Sequence, residues 1–182
     1  YYIKCNITND EEVSAMFAKI KELKGRIDTV VNSAGIARAE LVATTKSIHK
    51  SESFKQVFDI NTFGSFLVSK HAAKLMIENS KEDKDCNGNI IMIASVAGLE
   101  GQRGQLAYAG SKSAIIGMAL PMARDLGKFK IRVNVIAPGI IVTPMTESIL
   151  QTGPMKAIVA QTPLGTTGKP EHIAMTAEYM VK

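Results

Sequence analysis

The sequence predicts an α/β fold built on a doubly wound parallel sheet. Short runs of branched apolar residues alternate with longer segments in which apolar residues recur at helical spacing. The four short runs cover residues 2–5, 27–31, 89–94 and 130–137. This alternation is typical of βαβ units, in which parallel strands are covered by helices on both faces. A chain of 182 residues is compatible with one such domain.

The first helix is predicted to begin at a capping box formed by Thr8 and Glu11, just after the possible strand end at 2–5. Gly25 is a typical residue at its carboxyl end. Its apolar face carries Val13, Met16, Phe17, Ile20 and Leu23. The strand predicted at 27–31 then leads into the small residues of 32–35, which allow a ligand to approach the end of the strand closely.

Residues 37–53 are predicted to form a polar, irregular loop or a short hairpin, and residues 54–77 a long helix. Asn61 and Gly64 interrupt that helix with poor helix formers. Asn61 therefore marks either a local kink or a position with another role. Residues 79–89 are predicted to form a charged surface loop before the next strand.

After the strand at 130–137, Pro138 and Gly139 predict a turn. The segment 145–162 is rich in Met and Thr and is predicted as a loop with weak helical character, which suits either a lid over a substrate or ordinary packing. Pro170 is placed at a typical first position of a last helix.

Composition indicates an ordinary globular domain. No apolar run approaches the roughly 20 residues that cross a bilayer. The net charge of +5 is spread over scattered lysines, without the dense basic block of a nucleic-acid groove, so we expect no direct nucleic-acid partner. Cys5 and Cys86 form no metal-ligand spacing and fit a reducing compartment, and no metal site is predicted.

Tyr108 and Lys112 are four residues apart in a predicted helix and therefore lie on the same face. A lysine on an inward face is costly to bury unless it has a function. A cation beside a phenol favours the phenolate, so we expect Lys112 to lower the pKa of Tyr108 and to make it a general acid or base. Ser95, at the end of the strand at 89–94, can hydrogen-bond the same substrate oxygen.

The strand ends at 32–35, at Ser95 and at 138–143 bring polar or small residues to one edge of the predicted sheet. Ligands of doubly wound sheets bind beyond the carboxyl ends of the strands. These segments, together with Asn61 and the Tyr108/Lys112 pair, resemble the motifs of the short-chain dehydrogenase/reductase family. The resemblance covers nearly the whole chain and implies a Rossmann-like fold.

The resemblance also implies roles. Tyr108 would be the acid/base, Lys112 would hold the nicotinamide ribose, Ser95 would orient the substrate oxygen, and Asn61 would support a proton path behind Lys112. The residues implied to contact the cofactor NAD, with NADP left open, are Asn6, Ile7, Asn32, Ser33, Gly35, Tyr108, Lys112, Ile141 and Thr143. The residues implied to face the substrate are Ser95, Gln102 and Gln105.

Within the family, insertions at 37–53 and 79–89 are similar to those of members that oxidise 3-hydroxyacyl-CoA in fatty acid β-oxidation and also act on steroid alcohols. This implies an NAD-dependent enzyme that takes an acyl-CoA, assembles as a homotetramer and resides in mitochondria. Two alternatives remain open. One is an NADPH-dependent 3-oxoacyl-[acyl-carrier-protein] reductase, and the other is a scaffold subunit of a mitochondrial RNA-processing complex.

The sequence departs from the family pattern at two places. Asn6 stands where the family usually has Asp, which keeps a hydrogen-bonding group but loses the charge. The glycine-rich turn of the first βαβ unit and the final strand are not in the sequence. We therefore expect residues 1–182 to be a partial domain whose sheet is completed by other segments.

Overall fold

In the computed structural model, which describes residues 1–81 and 85–182, the sheet has three parallel strands. They are β1 (Thr29–Asn32), β2 (Gly88–Ile93) and β3 (Ile131–Ile136), in that spatial order. Asn32 pairs with Met92, and Met92 pairs with Val135, so all three strands end at the same edge. β2 lies in the centre, and its Ile90, Ile91 and Met92 are fully buried.

Seven α-helices occur in the described residues. They are α1 (Asp10–Lys24), α2 (Ser51–Phe58), α3 (Ser65–Glu78), α4 (Leu106–Leu126), α5 (Pro144–Leu150), α6 (Gly153–Ala160) and α7 (Pro170–Val181). The alternation of strands and helices therefore gives the α/β architecture that the sequence predicts. α3 packs on β1 and β2, and α4 packs on β3.

The predicted strand end at 2–5 is wrong, because these residues form no strand. A β-strand is held by hydrogen bonds to a neighbour, and the sheet that the structure describes has no strand beyond β1 for residues 2–5 to join. The predicted capping box is also displaced by one residue. Asn9, not Thr8, caps α1, and its Oδ1 accepts a hydrogen bond from the amide of Glu12 at 3.0 Å.

The long helix predicted at 54–77 begins earlier, at Ser51, and its middle is a π-helical turn at Asp59–Gly64. π-turns accommodate an extra residue within a helix and often occur at functional sites. Asn61 lies in this turn with no exposed surface. Gly64 is needed there, because a Cβ atom would come within 2.7 Å of Ile7 Cδ1.

The structure shows local order in two segments that the sequence predicts as largely irregular. Residues 37–53 include an antiparallel bridge between Ala43 and Ile48, which agrees with the predicted alternative of a short hairpin. The segment 145–162 is mostly helical, because α5 and α6 each start at a proline-containing first turn.

The charged loop predicted at 79–89 is described only in part, because residues 82–84 lie outside the described residues. The loop also ends earlier than predicted, since β2 begins at Gly88.

α7 is held against the sheet by a buried side chain of β2. Asn89 is 2% exposed, and its Nδ2 donates a hydrogen bond to the Met180 carbonyl at 2.8 Å. Carbonyls at helix carboxyl ends lack partners within the helix, so this bond fixes the end of α7. Shortly before α7, Gly168 pairs with the 140–142 segment, since its amide donates to the Ile140 carbonyl and its carbonyl accepts from the Val142 amide. The Ile141 side chain occupies the space that a Cβ of Gly168 would need.

Candidate active site

Ser95, Tyr108 and Lys112 line one cleft at the carboxyl edge of the sheet. The cleft has a volume of about 430 Å³ and lies where β1, β2 and β3 all end. Ser95 follows β2 by two residues, and the other two side chains project from the first turns of α4. The cleft is also lined by residues of β1, of the segments after β1 and β3, and of two helices: Val31, Ser33, Gly35, Ile141, Thr143, Met145, Thr146, Ile173, Ala174 and Ala177.

Ser95 is held by a tight turn that packs directly on α4. Its Oγ accepts a hydrogen bond from the Ala97 amide at 3.1 Å and caps the short 3₁₀ turn that follows. The turn approaches α4 so closely that a Cβ at Gly98 would lie 2.9 Å from the backbone of Lys112 and Ser113. A glycine at 98 therefore permits the contact that brings Ser95 beside Tyr108.

Lys112 is almost completely buried, with 5% of its surface exposed. Its Nζ donates a hydrogen bond to the Ile93 carbonyl at 2.8 Å. Burial lowers the pKa of Lys112 to about 8, because loss of water disfavours the charged ammonium. Near neutral pH the group is still largely protonated, so the site contains a desolvated cation.

Gly35 leaves open the space next to this cation. A Cβ at position 35 would lie 3.2 Å from Asn61 Oδ1 and 3.5 Å from Lys112 Nζ. Since glycine has no side chain, the ammonium can be approached from the cleft. A ligand with neighbouring hydroxyl groups could use this opening, because an ammonium has three donors.

The pKa of Tyr108 lies above its ordinary value, so the predicted decrease is wrong for the chain in this structure. Burial is the main cause, and the hydrogen bond with the Ser95 side chain, which lowers the pKa, only partly offsets it. The Lys112 ammonium lies 5.7 Å from the centre of the Tyr108 ring and is engaged by the Ile93 carbonyl. It therefore does not reverse the effect of burial.

Asn61 connects three segments beneath the cleft. Its side chain accepts a hydrogen bond from the Ile36 amide at 2.8 Å and donates to the Ile36 carbonyl at 2.9 Å. It also donates to Ser111 Oγ at 3.0 Å. These bonds tie the 35–36 segment to α4 next to Lys112. Asn61 does not line the cleft itself, so its contacts assign it a supporting position.

The residues implied to contact the cofactor fall into two groups. Ser33, Gly35, Ile141 and Thr143 line the cleft with Tyr108 and Lys112, whereas Asn6, Ile7 and Asn32 do not.

Each residue of the second group has a structural contact instead. Asn6 Oδ1 accepts hydrogen bonds from the amide and hydroxyl of Thr8. Ile7 packs against Gly64, and Asn32 Nδ2 donates to Ser69 Oγ on α3 at 2.9 Å.

Gln102 and Gln105, implied to face the substrate, bond to each other. The Gln105 Oε1 atom accepts a hydrogen bond from the Gln102 amide at 2.9 Å, and neither residue lines the cleft. The Gln105 carbonyl accepts the Ala109 amide at 2.7 Å and so begins α4. In this structure the pair stabilises the turn before Tyr108.

Sequence reasoning missed the wall formed by α7, whereas most of α5 lies in the segment 145–162, for which a lid over a substrate was one prediction. Met145 and Thr146 of α5, and Ile173, Ala174 and Ala177 of α7, line the cleft. The available signal in α7 was a short apolar stripe, which the spacing of 173, 174 and 177 places on one helical face. The same stripe would equally suit a helix packed on the sheet, so the sequence alone could not assign it to a site.

The described residues contain no group of three or more His, Cys, Asp or Glu side chains placed to hold a metal ion. None of the helices in the described ranges is long and apolar enough to cross a membrane. Both cysteines are free thiols.

A family model described as enoyl-(acyl carrier protein) reductase matches residues 1–182. A relative from Rattus norvegicus, named 3-hydroxyacyl-CoA dehydrogenase type-2, is 43% identical over 150 residues, which are 81% of this chain and 58% of the relative. The chain thus spans under three fifths of that relative's length. The Thermotoga maritima protein named 3-oxoacyl-[acyl-carrier-protein] reductase FabG is 37% identical over 175 residues, 96% of this chain and 67% of the relative.

The structure of a short-chain type dehydrogenase/reductase from Mycobacterium ulcerans superimposes with a TM-score of 0.89 and 28% sequence identity. The match covers 100% of this chain and 63% of that structure. This likeness confirms the predicted α/β fold with a Rossmann-like parallel sheet.

Replacing Lys112 by Met should stabilise the fold at neutral pH. A pKa that falls from 10.5 to about 8 corresponds to roughly 3 kcal/mol of desolvation cost, which the variant avoids. Loss of the Ile93 hydrogen bond destabilises the variant by about 1 kcal/mol. In the wild type the folded state binds the Lys112 proton less tightly than the unfolded state does. The desolvation cost is therefore fully present below about pH 8, and it disappears as the pH rises to 10.5 and the group loses its proton in both states. Urea unfolding of both proteins should show a gain of about 2 kcal/mol at pH 7 that shrinks toward pH 10.5. A destabilised variant at pH 7 would contradict the assignment.

Proposed function

We propose that this chain, which belongs to the short-chain dehydrogenase/reductase family, is part of an oxidoreductase acting on acyl-CoA. The enzyme would move a hydride between NAD(H) and the 3-hydroxy or 3-oxo group, with steroid alcohols as further substrates. The observation that carries the proposal is that Ser95, Tyr108 and a buried Lys112 line one cleft. The name of the rat relative supports the choice of substrate class. A mitochondrial location in fatty acid β-oxidation would follow from that substrate.

The residues of the cleft fit the nicotinamide half of a dinucleotide. The opening over Gly35 gives a ribose diol access to Lys112 Nζ, whose three donors match hydroxyl acceptors. Ser33 would flank the ribose, and Ile141 and Thr143 would lie against the nicotinamide ring. When bound, the nicotinamide supplies a hydride acceptor or donor.

Tyr108 would transfer the proton. In the oxidative direction its phenolate would accept the proton of the substrate hydroxyl while the carbon that bears this hydroxyl loses a hydride to the oxidised nicotinamide, and a carbonyl group would result. In the reductive direction its phenol donates a proton to the carbonyl oxygen. Because burial raises the pKa of Tyr108, the phenol is the form present near neutral pH in this structure, which suits reduction. Ser95 Oγ would orient the substrate oxygen by a hydrogen bond.

We further propose that segments outside this sequence complete the sheet and bind the pyrophosphate. The free edge of β1 supports this, since β1 pairs only with β2 in the sheet that the structure describes. An unpaired apolar edge is costly and is normally covered. The chain itself contains no glycine-rich TGxxxGxG turn, the usual device for phosphate contact.

A 3-oxoacyl-[acyl-carrier-protein] reductase that uses NADPH is the second candidate. The Thermotoga maritima relative supports it, since it bears the name of such a reductase and is 37% identical over 96% of this chain. The two candidates share the chemistry of Tyr108 and differ in the carrier of the acyl group and in the cofactor.

We propose a homotetramer as the assembly. An open apolar groove of about 800 Å³ lies between α3 and α4, and Phe66, Met118 and Met122 are among its lining residues. Phe66 is 39% exposed. The rim carries both Lys74 and Asp125. A second copy related by a two-fold axis could therefore pair opposite charges while it covers the apolar floor.

Purified full-length protein should oxidise NADH in the presence of acetoacetyl-CoA, measured by the decrease in NADH absorbance. Replacing Tyr108 by Phe removes the proton donor and should reduce kcat by about 100-fold or more. The variant should remain folded, because the ring is retained. Parallel assays with NADPH and with acetoacetyl-acyl carrier protein test the second candidate. Preference for the carrier-protein thioester and NADPH would replace the first proposal, and no turnover of either thioester by folded protein would contradict both.

Replacing Phe66 by Glu should split the tetramer into dimers, since a carboxylate would be buried at one of its two-fold contacts. Sedimentation velocity measures the mass of the assembly. Leu164→Glu is the matched control, because Leu164 is 87% exposed and does not line the groove. A Phe66→Glu protein of unchanged mass would rule out this groove as an interface.

A further inference from the structure

We infer that Glu40 is a positioning residue that fixes the start of α4 and thereby the place of Tyr108; the inference rests on the proposed function. Glu40 lies in the polar segment 37–50 and contributes nothing to the lining of the cleft. Its backbone and its side chain bind two different elements, both of which contact α4 around Tyr108.

The backbone of Glu40 holds the turn that precedes α4. The Glu40 amide donates a hydrogen bond to the Gly104 carbonyl at 2.9 Å, and Glu40 forms a parallel bridge with Gln105. Gly104 has a φ of +84°, a conformation that favours glycine, so the chain turns sharply at this contact. Gln105 then begins α4 by accepting the Ala109 amide. Glu40 is thus bonded to the turn three residues before Tyr108.

The side chain of Glu40 holds the start of α2. Its Oε2 accepts a hydrogen bond from the Lys50 amide at 3.0 Å. A carboxylate at a helix N-terminus is favoured by the partial positive charge there. The Ser53 hydroxyl and the Lys50 amide both lower the pKa of Glu40. Of the two, the Lys50 amide is the contact with hydrogen-bond geometry, because Ser53 Oγ makes no hydrogen bond among the described residues.

α2 in turn packs against α4 next to Tyr108. The rings of Phe54 and Phe58 stack with their centres 4.7 Å apart, and His49 packs edge-on against Phe54. The Phe58 ring lies so close to α4 that a Cβ at Gly110 would be 3.1 Å from its Cζ. Tyr108 therefore projects from a helical turn that is bounded by the 102–105 turn on one side and by Phe58 on the other. Glu40 connects these two elements, because its amide bonds to Gly104 and its carboxylate to the Lys50 amide at the start of α2.

The position of Tyr108 relative to Ser95 should depend on this link. Without the carboxylate, the Lys50 amide loses its acceptor, and position 40 is no longer tied by its side chain to the residue that precedes α2. The hydrogen bond from the Glu40 amide to the Gly104 carbonyl remains, but it then comes from a segment that is held less firmly. Small displacements of a catalytic group reduce the rate strongly, whereas binding of the cofactor in the rest of the cleft should be unaffected.

The test uses full-length protein with Glu40→Ala, Glu40→Gln and the control Glu52→Ala. Glu52 is an exposed carboxylate in the first turn of α2. We expect Glu40→Ala to lower kcat for the 3-oxoacyl thioester about tenfold and to leave the KM for the nicotinamide cofactor unchanged. Glu40→Gln keeps an oxygen acceptor for the Lys50 amide and should recover most of the rate. Glu52→Ala should behave as wild type.

Amide hydrogen exchange provides a readout that does not depend on turnover. Glu40→Ala should accelerate exchange of the amides at 105–110, and neither Glu40→Gln nor Glu52→Ala should do so. If Glu40→Ala does not fold, Glu40→Asp replaces it, since the shorter side chain keeps the charge but does not reach the Lys50 amide. Unchanged exchange at 105–110 in the folded variant would overturn the inference. An inactive wild type would contradict only the proposed function, because the exchange experiment would still decide the role of Glu40.

Discussion

The site depends on one costly interaction, the burial of the Lys112 ammonium at the carboxyl edge of the sheet. Water is largely removed from this group, and the Ile93 carbonyl replaces part of its hydration at 2.8 Å. The fold must offset a desolvation cost of roughly 3 kcal/mol, which is substantial compared with a typical net stability of about 5–15 kcal/mol. A group kept at such a cost is typical of a functional site rather than of a structural core.

Several neighbouring features are consistent with the need to keep this cation buried but accessible. Gly35 leaves a path from the cleft to Nζ, and Gly98 lets the Ser95 turn pack on the backbone of α4. The π-helical turn places Asn61 so that its amide binds both Ile36 and Ser111. The π-helical turn within the helix at 51–78 and the two glycines thus all shape the region around the Lys112 side chain. Their effects on stability and on the site should be coupled rather than additive.

The sequence predicted the parallel α/β class, the strands at β1, β2 and β3, and the meeting of Ser95, Tyr108 and Lys112, because these follow from local periodicity and from strand ends that share an edge. It did not predict the direction of the Tyr108 pKa, which depends on burial and on where the Lys112 ammonium is bonded. It also missed the contribution of α7 to the cleft, since an apolar face of a helix has the same sequence pattern whether it lines a cleft or packs in the core. Residues 2–5 show the reverse error, because a strand-like run forms no strand without a neighbour.

The most direct measurement of this account is the titration of Lys112 itself, followed by nuclear magnetic resonance of its side-chain carbon next to Nζ. Comparison with the Lys112→Met protein assigns the signal. We expect a pKa of about 8 for the desolvated ammonium. A pKa near the ordinary value of 10.5 would show that the group is solvated in the folded protein and that the site is not built around a buried cation.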